Sequence, residues 1–150
     1  NLNNKVMKLV LVSLLLVVFV SNEWLTNFDA AKEMAVKDNK HILLNFSGSD
    51  WCAPCIKMKK EVFESEAFLT RSEAQLVLVR ADFPRSKKNQ LSPEQIKHNE
   101  ALAEKYNPEG KFPFTLLLNA DGSIVREWDG YVFASQDKFI GELDKALLAQ

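Results

Sequence analysis

One hundred and fifty residues, of which 47% are hydrophobic and 26% charged, suffice for one globular domain with a proper core, are too few for two, and exclude a disordered or collagen-like chain. Nineteen basic against twenty acidic residues leave a formal charge of −1, so no chain-wide field attracts phosphate backbones and nucleic acid is excluded as a partner class. The only two cysteines are separated by two residues, which excludes the multi-bridge framework that staples small secreted domains.

Lys5 and Lys8 precede an apolar run over residues 9–20, the layout of a secretory signal, with Met7 a candidate initiator. The run is shorter than the roughly 20 residues that a membrane-spanning helix needs. Residues 1–22 are therefore expected to be a signal peptide or N-terminal hydrophobic segment, giving at most a transient membrane association, and residues 23–150 the folded domain. No cleavage site stands out, because Ser21 as the last signal residue puts Phe19 where a small residue is wanted, and no Cys follows the run to take a lipid anchor. The alternative makes residues 9–20 a buried strand or helix of the domain.

Phe28, Ala31, Met34 and Ala35 recur at helical spacing between Asn27 and Asn39, and Glu33 with Lys37 forms a favourable pair four apart, so a first amphipathic helix is predicted there. After His41, residues 42–46 form an apolar run bounded by Ser47-Gly48-Ser49, suited to a strand buried on both faces. Trp51-Cys52-Ala53-Pro54-Cys55 follows directly. Pro54 fits a helix's first turn, and that helix should reach about Phe63, burying Met58 and Val62 and exposing Lys57, Lys59 and Lys60. Residues 76–83 are a second β-rich run ending at Pro84. The polar, basic residues 85–91 read as a solvated loop rather than as a dedicated site for an anionic partner.

A helix then starts with Ser92 as cap, Pro93 at the first position and Gln95 placed to close a capping box; Ile96, Leu102, Ala103 and Tyr106 form its apolar side. Residues 114–118 are a third strand, Ala120-Asp121-Gly122-Ser123 a turn, and residues 124–128 the hairpin partner. A last helix from about Gln136 buries Phe139, Ile140, Leu143 and Leu147. Trp24 and Trp128 read as packing residues. The order predicts an α/β fold, a central mixed β-sheet flanked by helices. Ligand chemistry in such folds collects at the carboxyl ends of strands, where Cys52 lies.

A Cys-x-x-Cys pair opening a helix has a specific logic. The first sulfur meets unpaired N–H groups and the positive helix end, both of which favour its thiolate, so Cys52 is the expected nucleophile. Cys55, one turn on and deeper in the fold, is the expected resolving thiol. Attack by Cys52 on a partner disulfide gives a mixed disulfide that Cys55 breaks, leaving Cys52–Cys55 oxidised and the partner reduced; the reverse sequence oxidises the partner.

Trp51-Cys52-Ala53-Pro54-Cys55 differs by one conservative change from the Trp-Cys-Gly-Pro-Cys signature. With the Gly48-Ser49-Asp50 lead-in, Glu61-Val62-Phe63 and Leu102-Ala103-Glu104-Lys105-Tyr106, the chain resembles the thioredoxin superfamily over nearly its whole length after the signal. The resemblance is to its branch of secreted bacterial, disulfide isomerase-like proteins related to the C-terminal domain of DsbD. It implies a thioredoxin-like fold, protein disulfide or dithiol substrates, a separate redox partner, no cofactor beyond the Cys52–Cys55 disulfide, and residence in the periplasm or cell envelope. It also implies a cis bond between Phe112 and Pro113 facing the cysteines, with the Phe112 backbone, Trp51, Ala53 and Pro54 completing the substrate surface.

Two positions depart from that pattern. Asn45 stands where a buried Asp is usual, and Phe112 where Thr is usual. Relative to a minimal thioredoxin, residues 84–100 are an insertion placed to shape partner choice. Ala53-Pro54 puts no cation between the sulfurs, so the pair should act as reductant or isomerase rather than as strong oxidant.

Zinc is a poor competitor, since the only histidines, His41 and His98, are far apart and offer no second ligand pair; His41 reads as a strand-edge residue and His98 as an exposed helix residue. A purely structural Cys52–Cys55 bridge closes too small a loop to stabilise much. The other function class is a non-catalytic thioredoxin-like binding module or holdase using the groove around Trp51, Phe112 and Pro113.

Overall fold

The computed structural model describes residues 22–131 and 136–149; the expected signal run at 9–20 lies outside the described residues. A five-stranded sheet runs in the order β1 (Trp24–Leu25), β3 (Leu76–Asp82), β2 (His41–Ser47), β4 (Phe114–Leu118), β5 (Ile124–Asp129). β1, β3 and β2 are parallel, whereas β4 and β5 are antiparallel to their neighbours, so the sheet is mixed as expected.

Strand alternation divides the core between two faces. Ile42, Leu44 and Phe46 of β2 point toward Phe28, Ala31 and Ala35 of α1 (Phe28–Asp38) and Leu102 and Tyr106 of α4 (Pro93–Tyr106). Leu43, Leu78 and Leu117 point the other way, toward Met58 of α2 (Ala53–Met58), Phe68 of α3 (Glu66–Gln75) and Phe139, Ile140 and Leu143 of α5 (Gln136–Leu148). Leu147, expected in the core, only packs against its margin.

The ends of these elements follow local chemistry. Asn27 Oδ1 accepts from the N–H of Ala30 to start α1, and Asn39, in the left-handed region at φ 52°, ends it. Ser92 caps α4 by accepting from Gln95 N–H at 3.2 Å. The capping box itself does not close: Gln95 Nε2 donates instead to Thr26 O at 3.0 Å and Asn99 Oδ1 at 2.8 Å. The first of these bonds ties α4 to the chain ahead of α1. Ile96 is accordingly 37% exposed, and buried Asn99 takes the inner face.

Three features depart from the sequence reading. The active-site helix changes at Lys59 into a π-helical turn, Lys59–Phe63, before ending. α3 follows, capped by Ser65, whose Oγ accepts from Phe68 N–H. It is a mostly solvated helix that buries only Phe68 and Ser72, so it carries little apolar periodicity to read. β1 adds two residues to the sheet edge beside β3, paired Trp24 with Leu78 and Leu25 with Val79. The β4–β5 turn places Gly122 at φ 90°, with Tyr106 Oη donating to its carbonyl at 2.8 Å. No helix among the described residues is long and apolar enough to cross a membrane.

Candidate active site

Cys52 and Cys55 form a disulfide with Cα atoms 5.2 Å apart at the carboxyl end of β2. Cys52 is the N-cap of α2, and its sulfur accepts the backbone N–H of Cys55 at 3.3 Å. Pro54, with no N–H to satisfy, occupies the first turn, where it loses nothing. Cys55, expected deeper than Cys52, is equally buried in this oxidised form: both cysteines are 4% exposed. Ala53 and Pro54 are exposed beside them.

Trp51 lies over the same end of the sheet. Its Nε1 donates to Phe83 O at 2.7 Å, and its ring meets Phe112 edge-on at 5.3 Å, with Phe83 and Phe112 in contact at 5.6 Å. A side chain at Gly48 would collide with the Trp51 indole, so this fold-back requires glycine there. The Phe112–Pro113 bond is cis, as the resemblance implies. Because Phe114 pairs with Phe46 near the end of β2, the cis-proline turn and the disulfide share one end of the sheet. Phe112 is half-buried and Pro113 buried.

Two aspartates cross-link the loops that surround the pair. Asp82, closing β3, accepts from Ser49 N at 2.9 Å and from the Ser49 hydroxyl. Asp50 accepts from Arg85 N, Ser86 N and Asn89 Nδ2, each at 2.9 Å. Backbone donation from Arg85, then the Asn89 amide and the Ser86 N–H, hold the Asp50 carboxyl below the usual carboxylate range. The 85–91 stretch is therefore exposed, as expected, but it is pinned rather than free. The Arg85 guanidinium sits 3.7 Å from the Trp51 ring centroid.

Beneath α2 the apolar face of the sheet is interrupted by polar groups. Buried Asn45 donates from Nδ2 to Thr115 Oγ1 at 3.0 Å, and Thr115 Oγ1 approaches Met58 Sδ at 4.0 Å. Arg80, paired in register with Asn45, places its guanidinium 4.2 Å from the Trp24 ring centroid and leaves its buried Nε without a hydrogen-bond partner. Burial lowers the Arg80 pKa, with Asp82 and Glu64 opposing. The sequence reading did not single out Arg80, although a cation inside Leu76-Val77-Leu78-Val79-Arg80-Ala81 was a visible break in an otherwise apolar strand.

Neither histidine lies among these groups. His41 opens β2, half-buried, and burial lowers its pKa. His98 is not simply exposed: its Nε2 accepts the Phe28 N–H at 3.1 Å at the start of α1. Among the described residues no three His, Cys, Asp or Glu side chains are gathered as metal ligands.

A buried, helix-capping disulfide opposite a cis-proline turn on a mixed sheet defines a thioredoxin-like redox site. The thioredoxin-like domain family matches residues 28–147, and the chain belongs to it. It is 36% identical over 96 residues to the disulfide bond reductase DsbH of Chlamydia pneumoniae, covering 64% of this chain and 56% of that protein. A solved DsbH oxidoreductase superposes with a TM-score of 0.76 at 29% identity, with 85% of each chain covered. The oxidised DsbD C-terminal domain of Neisseria meningitidis gives a TM-score of 0.53 at 26% identity, covering 79% of this chain and 91% of that one.

Proposed function

We propose that the chain is an exported thiol–disulfide oxidoreductase of a bacterial cell envelope, acting on protein disulfides through Cys52 and Cys55 chiefly as a reductant or isomerase. The observation that carries this reading is the Cys55 N–H directed at the Cys52 sulfur at 3.3 Å. The donor that caps the helix on the oxidised sulfur is already aimed where a Cys52 thiolate develops its charge on reduction.

In the reducing direction the Cys52 thiolate attacks one sulfur of the partner disulfide and expels the other as a thiolate. Cys55, losing its proton, then attacks Cys52 in the mixed disulfide and expels the second partner thiolate. Two electrons pass from the dithiol to the partner, and the Cys52–Cys55 bond forms. Asn45 cannot take the Cys55 proton, which goes to solvent or to the departing thiolate. Trp51, Ala53 and Pro54 on one side, with Phe112 and Pro113 on the other, form the surface over which an extended substrate segment lies, and the Phe112 backbone is available to pair with it.

Export is supported by Lys5, Lys8 and the apolar run at 9–20, since a lasting disulfide couple belongs in a compartment where thiols are not kept reduced. The name of the Chlamydia relative, a disulfide bond reductase, agrees with the reducing direction. Reduction of insulin disulfides by dithiothreitol is the test. Turnover that Cys52→Ser abolishes supports the enzyme, whereas no turnover by the parent protein, with peptide binding intact, would make it a binding module or holdase.

A further inference from the structure

We infer that the loop over residues 84–91 selects the substrate, favouring protein disulfides flanked by aspartate or glutamate. The inference rests on the oxidoreductase reading above and specifies the substrate class for the same site.

Arg85, Lys87 and Lys88 lie on this loop and are exposed. Among the described residues none of the three forms an ion pair, whereas Lys57, Lys111 and Arg126 do. The two carboxylates that cross-link the surrounding loops are engaged elsewhere, Asp50 by Arg85 N, Ser86 N and Asn89, and Asp82 by Ser49. Those donors are neutral and leave both carboxylates charged, but neither carboxylate pairs with a cation among the described residues, and three cations against two carboxylates leave this end of the groove positive.

The backbone that carries them is held in place. The three bonds to Asp50 fix the loop backbone, and Trp51 Nε1 fixes its root at Phe83 O. The Arg85 guanidinium lies 3.7 Å from the Trp51 ring centroid, one residue before Cys52. Stacking on an aromatic ring uses the guanidinium's face and leaves its N–H edge free, the geometry that takes a carboxylate with two parallel hydrogen bonds. Positive charge on this loop, with Arg85 held against Trp51 next to the nucleophile, attracts acidic segments and repels basic ones, which appears chiefly in association rate. With a net charge of −1, the rest of the chain adds no general pull on polyanions, so the preference is local to the groove.

The experiment uses three synthetic peptides that each carry one intramolecular disulfide with Glu, Gln or Lys on both sides of it. The second-order rate of oxidation of the reduced protein is measured for each. The Glu peptide should react about tenfold faster than the Lys peptide at low ionic strength, an electrostatic gain at the modest end of what steering provides. In the triple variant Arg85→Gln, Lys87→Gln, Lys88→Gln, or in about 1 M salt, the ratio should fall below about twofold. Because the readout is a ratio, a variant that merely folds poorly slows all three peptides together and leaves the ratio standing. A ratio near one in the parent, or one that survives the triple substitution, overturns the inference. No reaction with any peptide would overturn the oxidoreductase reading, and this inference with it.

Discussion

The backbone N–H of Cys55 points at the sulfur of Cys52 from 3.3 Å, so the two active cysteines are joined by a hydrogen bond as well as by their disulfide. The relationship is asymmetric, because the helix end serves one sulfur and not the other. After reduction Cys52 should be the more acidic thiol, below the free value of about 8.5, and should react first with iodoacetamide. Mass spectrometry of the singly labelled protein checks this, and preferential labelling of Cys55 would refute it. Cys55→Ser should accumulate a mixed disulfide through Cys52 with a substrate protein, visible on a non-reducing gel.

Asn45 donates to Thr115 beneath the active-site helix and brings no titrating proton of its own. The rate of disulfide exchange should therefore follow thiol ionisation alone. In Asn45→Asp a carboxyl replaces the amide in a buried site, where desolvation pushes its pKa up. That variant should add a second inflection to the pH–rate profile, and an unchanged profile would mean that a carboxyl at position 45 does not couple to the thiols.

Asp50 holds the loop over residues 84–91 through Arg85, Ser86 and Asn89, bonds that also depress its pKa. A depressed carboxyl stabilises the folded form fully above its unfolded value of about 3.9 and loses that contribution as pH falls through the folded value. The amide proton shifts of Arg85 and Ser86 should stay constant from neutral pH to about 5 and titrate with a midpoint below about 3.9. Asp50→Ala should move both shifts at every pH and abolish the titration. A midpoint above 3.9 would mean that the carboxylate does not hold the loop.

Arg71 of α3 clasps Asp144 of α5 with two hydrogen bonds, Nε to Oδ1 at 2.6 Å and Nη2 to Oδ2 at 2.8 Å. The side chains are 30% and 38% exposed, so water screens the pair and Arg71→Met should cost only about 0.5–1 kcal/mol at pH 7. Hydrogen bonding to Arg71 lowers the Asp144 pKa. The stabilisation is therefore complete above the unfolded carboxyl value and is lost as pH falls through the folded one. Urea unfolding of the parent and of Arg71→Met should differ at pH 7 and converge at strongly acidic pH. A loss above about 2 kcal/mol would contradict a screened pair.

What was legible in the chain was whatever chemistry is local. Ser92-Pro93 announces α4, the apolar run at 42–46 announces β2, and Cys52-Ala53-Pro54-Cys55 announces a capped helix carrying a redox pair. The cis Phe112–Pro113 bond was legible through family resemblance, since nothing in Lys111-Phe112-Pro113-Phe114 sets its isomer locally. Less visible was what the rest of the fold supplies. α3 is mostly solvated and rests on Phe68 and Ser72, too few for a periodic signal. Gln95 had the right spacing for a capping box, but Thr26 and Asn99 compete for its amide. The pinning of the 85–91 loop depends on Asp50, distant in sequence and adjacent only once β2 and β3 lie side by side.

The reduction potential of Cys52–Cys55, measured by equilibrating the protein in graded thiol–disulfide buffers, tests the reductant assignment most directly. No cation separates the sulfurs in Ala53-Pro54, and a helix end favours a thiolate by no more than about 2 kcal/mol even at a buried site. The expected value lies nearer the roughly −270 mV of thioredoxin than the roughly −120 mV of strongly oxidising couples. A potential more oxidising than about −150 mV would contradict it.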